Sequence, residues 1–121
     1  MNKTLIFTAT YNESKNISKL IKRIIQLRQK IDLLIVDDNS PDGTSKIIEK
    51  FSKKYKNIIL KKRTGKFGLN TAHIYGYNYA LKNKYQKLIT MDADLSHDPK
   101  EIPKIINLLG KDTFVIGSRY I

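Results

Sequence analysis

Leu33-Leu34-Ile35-Val36-Asp37-Asp38-Asn39-Ser40-Pro41-Asp42-Gly43-Thr44 decides the fold of this chain. Its apolar opening is too short for a helix and reads as a strand buried on both faces. The run ends on two carboxylates. Asn39 to Gly43 is dense in residues that favour turns. Ile47, Ile48 and Phe51 then fall at helical spacing, with Thr44 or Asp42 as the expected cap.

The same pattern repeats on either side. Thr4 to Ala9 is a strand built on Leu5-Ile6-Phe7, followed by the polar turn Thr10-Tyr11-Asn12-Glu13-Ser14. Ile17, Leu20, Ile21, Ile24 and Ile25 make one face of a helix, with Lys19, Lys22 and Arg23 on the other. Ile58-Ile59-Leu60 is a third strand, and Arg63 to Gly68 is a basic, glycine-containing loop. Leu69 to Leu81 reads as a helix with Ala72, Tyr75, Tyr79 and Ala80 turned inward. Lys87 to Met91 is a fourth strand and Thr113 to Ile116 a fifth. Between them a helix starts at Pro99, uses Ile102, Ile105, Ile106 and Leu109, and ends at Gly110. The order βαβαβαβαβ predicts an α/β, Rossmann-like parallel sheet with helices on both faces. In such sheets ligands bind beyond the carboxyl ends of the strands. The clusters 10–13, 37–42, 63–68, 92–98 and 117–120 all follow strands, so all are expected on one rim.

Composition narrows the chemistry. A chain of 121 residues, 40% of them hydrophobic, forms one domain with a real core. The absence of cysteine excludes disulfides, thiolate metal sites and thiol nucleophiles, and two histidines exclude a His-rich centre. The net charge of +12 fits a solvated basic surface as well as it fits an anionic partner. No basic-aromatic nucleic-acid motif is present, so no nucleic-acid partner is expected. The apolar stretch at residues 5–7 is too short for a signal-peptide core, and no segment has bilayer-spanning length. A cytoplasmic chain is expected, with peripheral contact at the cytoplasmic membrane face left open.

Each cluster has a chemical reading and a plainer one. Asp92 and Asp94, separated by the small Ala93 just past a strand, can converge on a hard cation such as Mg²⁺ or Mn²⁺, or be a solvated surface pair. Ser96 can add a ligand, whereas His97 fits a surface or packing role. Asp38 can accept hydrogen bonds from a ribose or base, while a turn or cap role suits Asp42 better. The turn after the first strand has no glycine, so the dinucleotide fingerprint is missing, as is the Walker phosphate loop. Tyr11 can stack on a base and Glu13 can take hydrogen bonds from base or sugar; both also suit a helix start. Lys66 beside Gly68 makes an anion-friendly corner or a plain flexible loop. Arg119 suits bidentate phosphate contact or a surface position at the chain end.

Together, Thr10-Tyr11-Asn12-Glu13, Val36-Asp37-Asp38-Asn39-Ser40-Pro41-Asp42-Gly43-Thr44, Lys66-Phe67-Gly68-Leu69-Asn70-Thr71-Ala72, Met91-Asp92-Ala93-Asp94-Leu95-Ser96-His97-Asp98-Pro99 and Gly117-Ser118-Arg119-Tyr120 resemble the dolichol-phosphate mannosyltransferase group, inverting family-two glycosyltransferases with the GT-A fold. The resemblance runs the length of the chain in the correct order. It implies that Ala9, Tyr11, Glu13, Val36 and Asp38 line a nucleotide pocket, and that Asp92, Ala93 and Asp94 hold the sugar diphosphate. Asp92, Asp94 and Ser96 would be metal ligands for Mg²⁺ or Mn²⁺. Lys66 and Arg119 would meet phosphate, with Asp94 and Arg119 as the catalytic pair. The implied reaction moves a hexose, mannose from GDP-mannose, to a polyprenyl (dolichyl) phosphate. Ala9 stands where the group usually has proline, Asn70 replaces a usual glycine, and Ser96 stands where some relatives have glutamine. Complete members are nearly twice as long, so a donor-binding half is expected, truncated at its C-terminus. A partner chain supplying the other half, a non-catalytic nucleotide-sugar-binding fragment and a basic polyanion or lipid-surface adaptor are the alternatives.

Overall fold

The computed structural model describes residues 4–64, 69–95, 98–108 and 114–115. The elements are β1 (Thr4–Thr10), α1 (Ile17–Gln26), β2 (Ile31–Asp37), α2 (Thr44–Lys54), β3 (Ile58–Lys62), α3 (Leu69–Lys82), β4 (Lys87–Thr90), a 3₁₀ turn (Pro99–Glu101), α4 (Ile102–Leu108) and β5 (Phe114–Val115). The strands form one sheet in the order β3-β2-β1-β4-β5, every pair parallel. The chain thus steps outward from β1 through β2 to β3, then crosses to the other side of β1. That reversal between β1 and β4 is a topological switch point, where a crevice opens at the carboxyl ends.

Side chains alternate across the sheet. Ile6, Leu33, Ile35 and Ile89 point to one face and are sealed by Ile17, Leu20, Ile21 and Ile24 of α1, Ile48 of α2, and Ile102 and Ile105. Leu5, Phe7, Leu34, Val36 and Leu88 point to the other and meet Ala72 and Ala80 of α3 and Tyr85. Both faces are dry, which is why the strand sequences are continuous apolar runs.

The expected strands are all present, with shifted ends. β2 begins at Ile31 because Asp32 is accommodated inside: the Tyr85 hydroxyl donates to its Oδ2 at 2.6 Å. Burial first, and then the Asp32 carboxylate, push the Tyr85 pKa well above its ordinary value. β3 runs on through Lys61 and Lys62 at the open edge of the sheet. The N-cap of α2 is neither Thr44 nor Asp42 but Gly43, at φ 86, a conformation that glycine adopts without strain. The Asp42 carboxylate instead accepts the N–H of Thr44, the first helical residue, at 3.1 Å. Pro99 opens a 3₁₀ turn capped by Asp98, and α4 proper starts at Ile102. Leu109, Gly110, Thr113 and Ile116 lie outside the described residues. No described helix is long and apolar enough to cross a membrane.

Candidate functional site

The rim at the carboxyl ends of β1 and β2 is held by side-chain oxygens. Thr10 Oγ1 donates to Asp37 Oδ1 at 2.7 Å, at the last step of the β1–β2 ladder. Asp37 also accepts from the N–H and hydroxyl of Ser40, at 3.0 and 2.6 Å, which folds the loop after β2 back on itself. That loop then receives the backbone of the other. Asn12 N–H donates to Ser40 Oγ at 2.9 Å, Glu13 N–H to Thr44 Oγ1 at 3.1 Å, and Ser14 N–H to Asp42 Oδ2 at 3.1 Å. Three successive amides ahead of α1 are therefore satisfied from the Ser40–Thr44 segment, each bond contributing about 0.5–1.5 kcal/mol. Asn12 and Asn39 turn the loops at φ 56 and 58, a left-handed geometry that asparagine tolerates.

Acidic groups gather over this frame. The Glu13 carboxyl titrates above its ordinary range, through burial first and then through the charges of Asp94 and Asp42. The Asp94 charge, on the loop after β4, thus acts on Glu13 in the loop after β1. Asp42 is held down to about 2, chiefly by the Thr44 hydroxyl and then by Ser14. Asp92 and Asp94 are exposed while Ala93 between them is buried against the α1–α2–α4 core, so the turn is anchored with its carboxylates outward. Leu95 follows at φ 65, a strained backbone for leucine held by packing on the same core, which fixes the direction of the turn.

Asp38 lies deeper. Its carboxylate is buried and gripped by Arg63, Nε to Oδ1 at 2.5 Å and Nη2 to Oδ2 at 2.7 Å. Arg63 Nη1 also donates to Thr71 Oγ1, at 3.2 Å, in the first turn of α3. A bidentate guanidinium fixes the plane of the carboxylate and leaves fewer lone pairs for a ligand. Asp37, the neighbouring candidate, is fully buried and spent on the loop frame.

The expected residues now sort by position. Tyr11, Glu13, Asp38, Asp92 and Asp94 sit on the rim, Tyr11 being 39% exposed. Ala9 is half-buried toward the α3 layer. The Val36 side chain is fully buried in the Leu5–Phe7–Leu34 cluster. Period-2 alternation puts Val36 on the same face as Leu34, and α3 covers that face. Lys66, Ser96, His97 and Arg119 lie outside the described residues. Arg63 and the Ser40–Asp42–Thr44 frame were missed. Arg63 carried a signal, as an arginine directly after a strand beside Lys61 and Lys62, where bidentate geometry is the reason to prefer arginine.

The donor chemistry fits a hard divalent cation. Among the described residues of the turn the hard ligating side chains are the carboxylates of Asp92 and Asp94, and Glu13 feels the negative charge of Asp94 and Asp42. Among the described residues no group of three His, Cys, Asp or Glu is arranged to enclose a metal. Asp92 and Asp94 would leave most of the shell to water and phosphate, as Mg²⁺ and Mn²⁺ prefer when they serve a diphosphate.

The profile of "Glycosyl transferase family 2" matches residues 5–121. The chain is 34% identical over 122 residues to polyprenol monophosphomannose synthase of Mycolicibacterium smegmatis, covering 98% of this chain and 46% of that protein. It is 34% identical over 117 residues to undecaprenyl-phosphate mannosyltransferase of Micrococcus luteus, covering 97% and 48%. The chain spans about half the length of the curated relatives it matches. The structure of mannosyltransferase PcManGT from Pyrobaculum calidifontis, in complex with GDP-Man and Mn²⁺, aligns with a TM-score of 0.60 at 24% identity, over 77% of this chain and 28% of that one. That likeness establishes a common fold.

Proposed function

The chain belongs to glycosyl transferase family 2, and from that premise we propose that it is the donor-binding part of an enzyme that moves mannose from GDP-mannose to a polyprenyl phosphate with inversion. The observation that carries the reading is the hydrogen-bonded joining of the loops after β1 and β2 beside the switch point between β1 and β4, with the Asp94 charge acting on Glu13 there. Two relatives whose names specify mannosyl or phosphomannose transfer to polyprenol carriers support the acceptor class.

Tyr11 and Glu13 receive the nucleoside, with Asp38, oriented by Arg63, at the ribose or base. Asp92, Ala93 and Asp94 serve the sugar diphosphate, Ser96 would supply a further metal ligand, and Lys66 and Arg119 would contact phosphate. A divalent ion held by Asp92 and Asp94 would neutralise charge on the departing diphosphate. An acceptor phosphate oxygen forms the new bond to the anomeric carbon as the bond to GDP breaks on the opposite side. That oxygen is already ionised at pH 7, so no strong general base is demanded of the chain. Its own contribution is orientation and a fixed electrostatic frame. Such an enzyme works at the cytoplasmic face of a membrane.

Thermal unfolding with GDP and Mn²⁺ tests this. Saturating ligand is expected to stabilise the chain by about 2–3 kcal/mol at a hundredfold excess over Kd, and Asp92→Asn with Asp94→Asn should abolish the metal-dependent part. Indifference to GDP and Mn²⁺ alike would defeat the proposal. Incubation with GDP-mannose and polyprenyl phosphate then separates binding with turnover from a donor-binding module.

A further inference from the structure

Charge in this molecule is segregated. Between Glu49 and Asp92 the sequence has ten lysines and Arg63 and not one Asp or Glu, so this segment carries nearly all of the +12. Some of these cations are engaged: Arg63 with Asp38, Lys62 with Glu49 at 3.0 Å, Lys87 with the Ile106 carbonyl at 3.2 Å. Lys61, Lys82 and Lys84 form no ion pair among the described residues.

The same segment holds an inverted helix. α3 turns Ala72, Gly76 and Ala80 inward, while Ile74 and Leu81 are 56% and 63% exposed. Ile74, Asn78 and Leu81 fall on one helical stripe. Beside it runs an open groove of about 550 Å³ lined by Lys61, Tyr75, Asn78, Tyr79, Lys82 and Asn83. Apolar ridge, tyrosines and lysines thus lie side by side along one flank, in the order of depth that a lipid interface selects.

We propose that this flank rests on an anionic bilayer: Ile74 and Leu81 enter the acyl boundary, Tyr75 and Tyr79 sit at headgroup depth, and Lys61 and Lys82 hold lipid phosphates. Charge complementarity selects the occupant, since the charged side chains lining the groove are the lysines Lys61 and Lys82, each drawn separately to anionic lipid, while the nearby Asp32 is buried and bonded to Tyr85. A ridge of two apolar side chains is too small to be the core of a stable protein interface. The flank is continuous with the rim, because Arg63 ties Thr71 of α3 to Asp38. The inference rests on the proposed function only in that a lipid-borne acceptor gives the contact its use.

Co-sedimentation of the chain with phosphatidylcholine vesicles, with and without phosphatidylglycerol, is the test. Binding is expected only with phosphatidylglycerol and should fall with salt. Lys61→Gln and Lys82→Gln should each weaken it about fivefold, and Ile74→Ser with Leu81→Ser about tenfold or more. These positions are exposed, so the variants fold and keep their response to GDP and Mn²⁺. Asp92→Asn with Asp94→Asn should do the reverse, losing that response while still binding vesicles; the two readings therefore fail separately. Vesicle binding that ignores the α3 variants overturns the proposal. So does self-association that Ile74→Ser abolishes, or binding of a single-stranded oligonucleotide in preference to vesicles.

Discussion

Helices α1 and α3 cover opposite faces of the same sheet by opposite means. α1 buries Ile17, Leu20, Ile21 and Ile24 and exposes Lys19, Lys22 and Arg23. α3 buries Ala72, Gly76 and Ala80 and exposes Ile74 and Leu81. On the α1 side the helix supplies the volume of the core. On the α3 side the sheet supplies it, through Leu5, Phe7, Leu34 and Val36, and the helix contributes closeness. A Cβ on Gly76 would stand 2.7 Å from Phe7 Cδ1. One helix is held by what it inserts, the other by what it lacks, and only the second has large apolar side chains left for another surface.

Opposite substitutions break this comparison. Ile21→Ala on α1 is expected to cost the most, about 2–5 kcal/mol, since a fully buried side chain leaves a cavity; denaturant unfolding measures it. On α3 enlargement is the damaging change. Gly76→Ala gains about 1 kcal/mol of helix propensity but forces a buried phenylalanine ring aside, at about 1–3 kcal/mol. A net loss of about 1 kcal/mol is expected, and Phe7→Leu in the same chain should recover part of it, a coupling that a double-mutant cycle reads directly. If Gly76→Ala stabilised the chain, the closeness account of α3 would be wrong.

The same contrast explains what could be read from sequence. α1 was legible because its apolar residues repeat at 3, 4, 7 and 8, and the strands were legible because both of their faces are dry. The inward face of α3 was legible only in part. Ala72 and Ala80 are buried as expected, but Tyr75 and Tyr79 are half-buried at a groove, and Gly76 had no signal because a small residue marks a close approach only once its neighbour is known. Asp32 hid the start of β2 because its partner, Tyr85, lies 53 residues away. At the site, strand ends announced Asp38, Asp92 and Asp94, since position after an apolar run is local information. The ties of Ser40, Asp42 and Thr44 to residues 12–14 span 28 to 31 residues, and no local spacing encodes them.

Acid sharpens the comparison with the smallest expected effect. The start of α1 depends on a carboxylate, because Asp42 accepts from Ser14 N–H and from Thr44. α3 and the segment around it contain no acidic residue from Lys50 to Met91. Asp42 titrates near 2 in the folded chain, against an ordinary 3.8. Its folded value is depressed, so its contribution is fully present above about 4 and is lost as pH falls through about 2. Because Asp42 is exposed, the loss is local loosening and not global unfolding. Amide NMR across that window should therefore show Ser14 and Thr44 shifting with a midpoint near 2, while Ala72 and Ala80 in α3 hold their positions until the whole domain unfolds. An Asp42→Asn chain should lack the step at Ser14 and Thr44. If the step survived in Asp42→Asn, or if α3 moved with it, the tie between the two loops would not be the device that sets α1 in place.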